Sequence, residues 1–129
     1  DVVVDVFSTH CLPEKEYALF LSELNRILKV NGLFFSFTPS KNSGAFIKHA
    51  PSVLIDNSTL NGISRLDSPF ATNMYPFRFM SVEDAIKNME QNQMKIEYLE
   101  TLSRSYFGRK EIFEFLLIQA QKNAPQVAY

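Results

Sequence analysis

Hydrophobic positions change their spacing several times along this chain, and each change marks an element. Asp1-Val2-Val3-Val4-Asp5-Val6-Phe7 is nearly continuous in apolar, β-branched residues, which predicts a strand covered on both faces in a parallel sheet. Pro13 suits the first turn of a helix. Tyr17, Phe20, Leu21, Leu24, Ile27 and Leu28 then follow at three- and four-residue spacing and form one apolar stripe. Lys29 suits the negative end of that helix, and Asn31 or Gly32 can take the left-handed conformation that stops it. A second apolar strand follows over residues 33–37. Two strands joined by one helix are expected to be parallel, with a right-handed crossover.

From residue 40 to residue 79 the periodicity fades while Ser, Asn, Pro and Gly accumulate. This predicts a long excursion with little regular structure beyond one short helix near residues 45–50, the kind of connection that is usually functional. Ser81-Val82-Glu83-Asp84 has the spacing of a capping box and starts a helix whose buried face is Val82, Ala85, Ile86 and Met89. That helix is expected to end near Asn92. Residues 94–103 and 112–121 read as two further strands. The link between them, with Gly108-Arg109-Lys110, is too short for a parallel return, so the pair is antiparallel and the sheet is mixed. Residues 123–129 read as a tail.

Composition narrows the function classes. A chain of 129 residues with 46% hydrophobic and 21% charged residues is a single globular α/β domain and not a disordered segment. A net charge of −1 offers no basic field, which argues against nucleic acid or anionic lipid as a partner. The apolar runs fall far short of the roughly 20 residues of a membrane helix. Cys11 is the only cysteine, so there is no internal disulfide and a cytoplasmic location is expected; it reads as a small apolar filler. The first residue is Asp1 and not Met, which suggests a piece of a longer protein.

The order of these pieces resembles the C-terminal half of class I S-adenosylmethionine-dependent methyltransferases, Rossmann-like and similar to the type 11 members. The residues that carry the resemblance are Asp1-Val2-Val3-Val4, then Ser8-Thr9-His10, then Arg26-Ile27-Leu28-Lys29-Val30-Asn31-Gly32, then the apolar strand at 33–37. Val30-Asn31 stands where the family commonly has a Pro before Gly. The resemblance covers residues 1–122, with 40–79 as an acceptor-side excursion. It implies a partial sheet of about four strands with an antiparallel C-terminal pair, and transfer of a methyl group from S-adenosylmethionine to a small-molecule acceptor. The family's Gly-rich cofactor loop has no counterpart, because Gly32, Gly44, Gly62 and Gly108 form no Gly-x-Gly-x-x-Gly. The chain alone is therefore expected to bind the cofactor poorly.

In such a fold the loop after the first strand borders cofactor and acceptor, so Asp5, Phe7, Ser8, Thr9 and His10 become the site candidates. Phe7, Ser8 and Thr9 are the implied cofactor contacts, and Asp5 and His10 the implied catalytic groups. A carboxylate inside a run of valines must be hydrogen-bonded, paired or near a polar cleft, so Asp5 is either functional or bound to local backbone amides. His10 is either a base or a packing residue. Arg78, between aromatics in Tyr75-Pro76-Phe77-Arg78-Phe79, is with Tyr75 the substrate-side candidate; the competing reading of Arg78 is a surface ion pair. His10 and His49 have no nearby ligand partners, so no metal is assigned. The alternative function is a non-catalytic assembly module that forms a homo-oligomer through the exposed strand of residues 2–7.

Overall fold

The computed structural model describes residues 1–124. Its elements in order are β1 (Val2–Val6), α1 (Glu14–Ile27), β2 (Leu33–Pro39), α2 (Gly44–Ile47), β3 (Thr59–Leu60), β4 (Phe77–Arg78), α3 (Val82–Gln91), β5 (Met94–Tyr106) and β6 (Glu111–Lys122). A single 3₁₀ turn, Thr9–Cys11, lies between β1 and α1. The fold is α/β, with a four-stranded mixed sheet in the order β1-β2-β6-β5. β1 and β2 run parallel, and β6 inserts antiparallel between β2 and β5. The carboxyl ends of β1, β2 and β5 therefore share one edge of the sheet.

The pleat sends alternate residues to opposite faces. One face, with Phe34 on β2 and Leu116, Ile118 and Ala120 on β6, packs against Tyr17, Leu21, Leu24 and Leu28 from the α1 stripe and against Ala85 and Met89 of α3. The opposite face is covered only toward the carboxyl edge. There the excursion folds Ala45, Leu60, Ile63, Phe77 and Phe79 over Phe113 and Phe115 of β6. Two helix ends follow local chemistry. Ser81 Oγ accepts from the Asp84 amide and Asp84 accepts from the Ser81 amide, each at 3.0 Å, completing the capping box. At the other end of the first crossover, Asn31 takes the left-handed conformation (φ 66°). Lys122 Nζ reaches across from β6 to the Asn25 and Leu28 carbonyls at the end of α1.

The structure corrects several expectations. β1 is not covered on both faces: Val2, Val4 and Val6 are 62%, 60% and 58% exposed, because among the described residues β1 pairs only with β2 and nothing packs over that side. Ile27 and Ile86 lie at the margins of their helices' apolar stripes and are exposed. Cys11 is exposed and not a core filler. The excursion is also more ordered than its composition suggests, since β3 and β4 pair antiparallel within it. An ion pair between partly exposed Arg65 and buried Glu111 ties it to the start of β6. Among the described residues no helix is long and apolar enough to cross a membrane.

Candidate functional site

The carboxyl edge of β1 is where the candidate residues gather. Register places Asp5 beside Ser36 on the helix-facing side of the sheet, where it is 3% exposed. One carboxylate oxygen accepts from the backbone amides of Ser8 (3.3 Å) and Thr9 (3.0 Å) and from the Ser8 hydroxyl. The other accepts from the hydroxyls of Thr9 (2.7 Å) and Ser36 (2.9 Å). Burial by itself raises the proton affinity of this group, but the five hydrogen bonds outweigh it and hold the carboxyl below the usual carboxylate range. Both oxygens are committed to the loop, which is the local-anchor reading of Asp5.

With Asp5 as its anchor, the chain turns sharply. Phe7 adopts φ 52°, a conformation that is costly for a bulky residue and that clusters at functional sites. The Phe7 ring lies 4.1 Å from the His10 ring and 5.2 Å from that of Phe70, while Phe77 meets His10 at 4.8 Å. His10 is half-buried, and its Nδ1 has no hydrogen-bond partner among the described residues. Burial, then the positive charge of Arg78, lowers its pKa, with Asp5 opposing. The imidazole is therefore neutral near pH 7, in the form able to accept a proton.

Arg78 departs from the surface ion-pair reading: it is 2% exposed and makes no ion pair among the described residues. Its Nη1 donates to the Thr9 carbonyl at 2.7 Å and the Leu12 carbonyl at 2.6 Å, and its guanidinium lies 3.6 Å over the Tyr17 ring. The reason is topological: β4 carries Arg78 beneath the loop, where the near acceptors are the main-chain carbonyls of Thr9 and Leu12 and, at 3.5 Å, the Thr9 hydroxyl. Burial lowers its pKa, and pushes the Tyr17 hydroxyl up to about 12. Tyr75, by contrast, is 72% exposed and lines a shallow hollow formed with Phe70 and Met74. Phe70, which the sequence reading did not single out, links that hollow to Phe7; an isolated Phe between Pro69 and Ala71 carries no pattern to reveal this role. Among the described residues no group of three metal-ligating side chains exists.

No family model matches the chain, and no curated protein does. Solved structures match its fold. A SAM-dependent methyltransferase from Methanosarcina mazei aligns over 97% of this chain with a TM-score of 0.72 at 16% identity, and the chain covers 60% of it. The chain has a partial methyltransferase fold. The 1,6-didemethyltoxoflavin-N1-methyltransferase of Burkholderia thailandensis, solved with 1,6-didemethyltoxoflavin and S-adenosylhomocysteine, aligns over 96% of the chain at TM-score 0.61 and 12% identity. A possible histamine N-methyltransferase from Thermotoga maritima aligns over 95% at TM-score 0.57 and 19% identity. The chain covers 44% of the Burkholderia protein and 56% of the Thermotoga protein. It thus spans about half the length of the methyltransferases it matches.

Two outcomes test this geometry. Asp5→Ala strands several buried donors and is expected to lower unfolding free energy by about 3 kcal/mol in urea titrations near pH 7. Because the folded pKa is depressed, the wild-type chain keeps this contribution above the ordinary carboxylate pKa of about 3.9 and loses it as pH falls through the folded value. An unchanged midpoint in the variant would contradict the anchor. Second, His10 followed by NMR is expected to titrate below 6.5, since its folded pKa is lowered. A midpoint at or above 6.5 would contradict the neutral, partly desolvated imidazole.

Proposed function

We propose that this chain is the C-terminal portion of a SAM-dependent methyltransferase that transfers a methyl group to a small-molecule acceptor, with the cofactor held mainly by residues outside it. The observation that carries the reading is the strand order β1-β2-β6-β5, with β6 antiparallel between parallel neighbours and a polar loop at the carboxyl end of β1. In open α/β sheets ligands bind outside the carboxyl ends of the strands. The Burkholderia neighbour is a 1,6-didemethyltoxoflavin-N1-methyltransferase and the Thermotoga neighbour a possible histamine N-methyltransferase, and both names point to small-molecule acceptors, which supports the acceptor class.

The loop fits one wall of a cofactor site. Ser8 and Thr9 donate their hydroxyl hydrogen bonds to Asp5, so that the Ser8 oxygen keeps acceptor capacity for an amino group, while the Thr9 oxygen is also approached by Arg78. Phe7 adds an apolar ring beside them. The bound cofactor supplies a methyl group activated on a sulfonium. The chain's own residues would orient the acceptor through Phe70 and Tyr75, exclude water with the aromatic cluster, and place neutral His10 to take a proton from an acceptor N–H or O–H. Alignment of nucleophile and methyl supplies much of the rate in such a reaction. A cytoplasmic location belongs to the same reading.

A second reading, a non-catalytic assembly module, is favoured by the free edge of β1 and the exposed row Val2, Val4 and Val6. An unpaired edge of this kind recruits another strand, and a second copy of the chain could supply it.

Calorimetric titration with S-adenosylmethionine is expected to give micromolar binding for the full-length gene product and none for residues 1–129 alone; no binding by the full-length product would overturn the enzyme reading. Light scattering of the isolated 129-residue chain is expected to show a dimer or larger species. A stable monomer at high concentration would count against pairing through β1.

A further inference from the structure

We propose that Arg78 is a positioning residue that latches the loop of residues 8–12, and with it His10, to the acceptor-side excursion, so that two walls of the site form together. The effect on turnover rests on the methyltransferase reading; the effect on the loop rests on geometry alone.

A single nitrogen of Arg78, Nη1, bridges the 3₁₀ turn. Its two short hydrogen bonds end on Thr9 O and Leu12 O, the carbonyls that bracket His10 and Cys11, although these residues lie 69 and 66 positions away in sequence. Nη2 approaches Thr9 Oγ1 at 3.5 Å, and that hydroxyl donates to Asp5. The loop is thus held from below by Asp5 and from the side by Arg78. The preceding residue, Phe77, sets its ring 4.8 Å from that of His10. One two-residue strand therefore contacts the imidazole directly and fixes the main chain on either side of it. β4 is itself held by pairing with β3 and by the Phe79 amide bonding Ser58 O at 2.8 Å. Movement of the excursion is transmitted to His10 through these contacts.

The energetics point the same way. A guanidinium at 2% exposure with no carboxylate in ion-pair reach, and with Nε lacking any partner among the described residues, is a costly way to fill space. An apolar side chain of similar length would fill the slot without desolvating a charge. Stacking on Tyr17 recovers part of that cost. A methionine has no N–H to give these carbonyls, and a lysine ammonium on its flexible stem lacks the planar guanidinium that lies over Tyr17 while one nitrogen, Nη1, reaches both carbonyls. The residue type is explained by the position it imposes on the loop.

The test compares Arg78→Met and Arg78→Lys with wild type, by amide hydrogen exchange on the full-length product and by steady-state methyl transfer. For Arg78→Met, exchange of the amides of residues 8–12 is expected to rise about tenfold while amides in β5 and β6 stay within about twofold, with Tm unchanged or raised. In turnover, kcat is expected to fall about tenfold or more with KM for S-adenosylmethionine within about twofold, because the loop still forms but is misplaced. Arg78→Lys should recover part of both. Unchanged exchange at 8–12, or exchange that rises equally across the sheet while Tm falls, overturns the proposal. If Arg78→Met does not fold, Arg78→Lys against wild type decides it by the same readouts. A wild-type protein that transfers no methyl group sinks the functional reading, while the exchange comparison still decides the latch.

Discussion

A carboxylate buried in a row of valines constrains everything around it. Asp5 cannot sit beneath α1 as a bare charge, because desolvation would force it to protonate or leave. It is stable there because the chain after β1 bends back and delivers amides and hydroxyls from Ser8 and Thr9, while β2 brings Ser36 alongside. The sharp turn at Phe7, with its positive φ, is the backbone cost of that delivery. One desolvated group thus ties the loop after β1 to the end of that strand and to β2.

The two faces of the sheet are finished by different means. On the helix side, apolar stripes from α1 and α3 meet alternate residues of β2 and β6, and the core forms from side chains already set at helical and strand spacing. On the other side the only helix near the carboxyl edge among the described residues is the single-turn α2, and the excursion covers that edge with phenylalanines held by polar ties. The Arg65–Glu111 pair anchors it at one point and Arg78 at another. Irregular backbone is stable here because specific polar contacts replace the ladder hydrogen bonds it lacks. The uncovered remainder, the row from Val2 to Val6, is the surface on which both functional readings turn.

Arg78 and Asp5 share one logic with opposite charge. Each is a buried ionisable group without a counterion in contact among the described residues, and each bonds main-chain or hydroxyl partners of the same loop, with Ser36 of β2 added for Asp5. Such pairs of tethers make a loop rigid without a hydrophobic core of its own.

Much of this architecture was legible along the chain. The β-branched run at the start, the α1 stripe, the left-handed Asn31 and the Ser81 capping box are local patterns, and local patterns survive because they follow from sterics and periodicity that every context shares. The mixed sheet followed from the shortness of the connection between β5 and β6. What the sequence could not decide was burial and partnership across long separations. A valine run reads the same on a covered strand and on an edge. Ile27 and Ile86 fit an apolar stripe whose width only the neighbours limit. Arg78 reads as a substrate clamp or a surface ion pair, and only the fold shows that β4 carries it under a loop almost seventy residues away; the five donors around Asp5 are likewise gathered only by the fold. Periodicity is encoded in neighbouring residues; the environment of a charge is set by whatever tertiary structure brings to it.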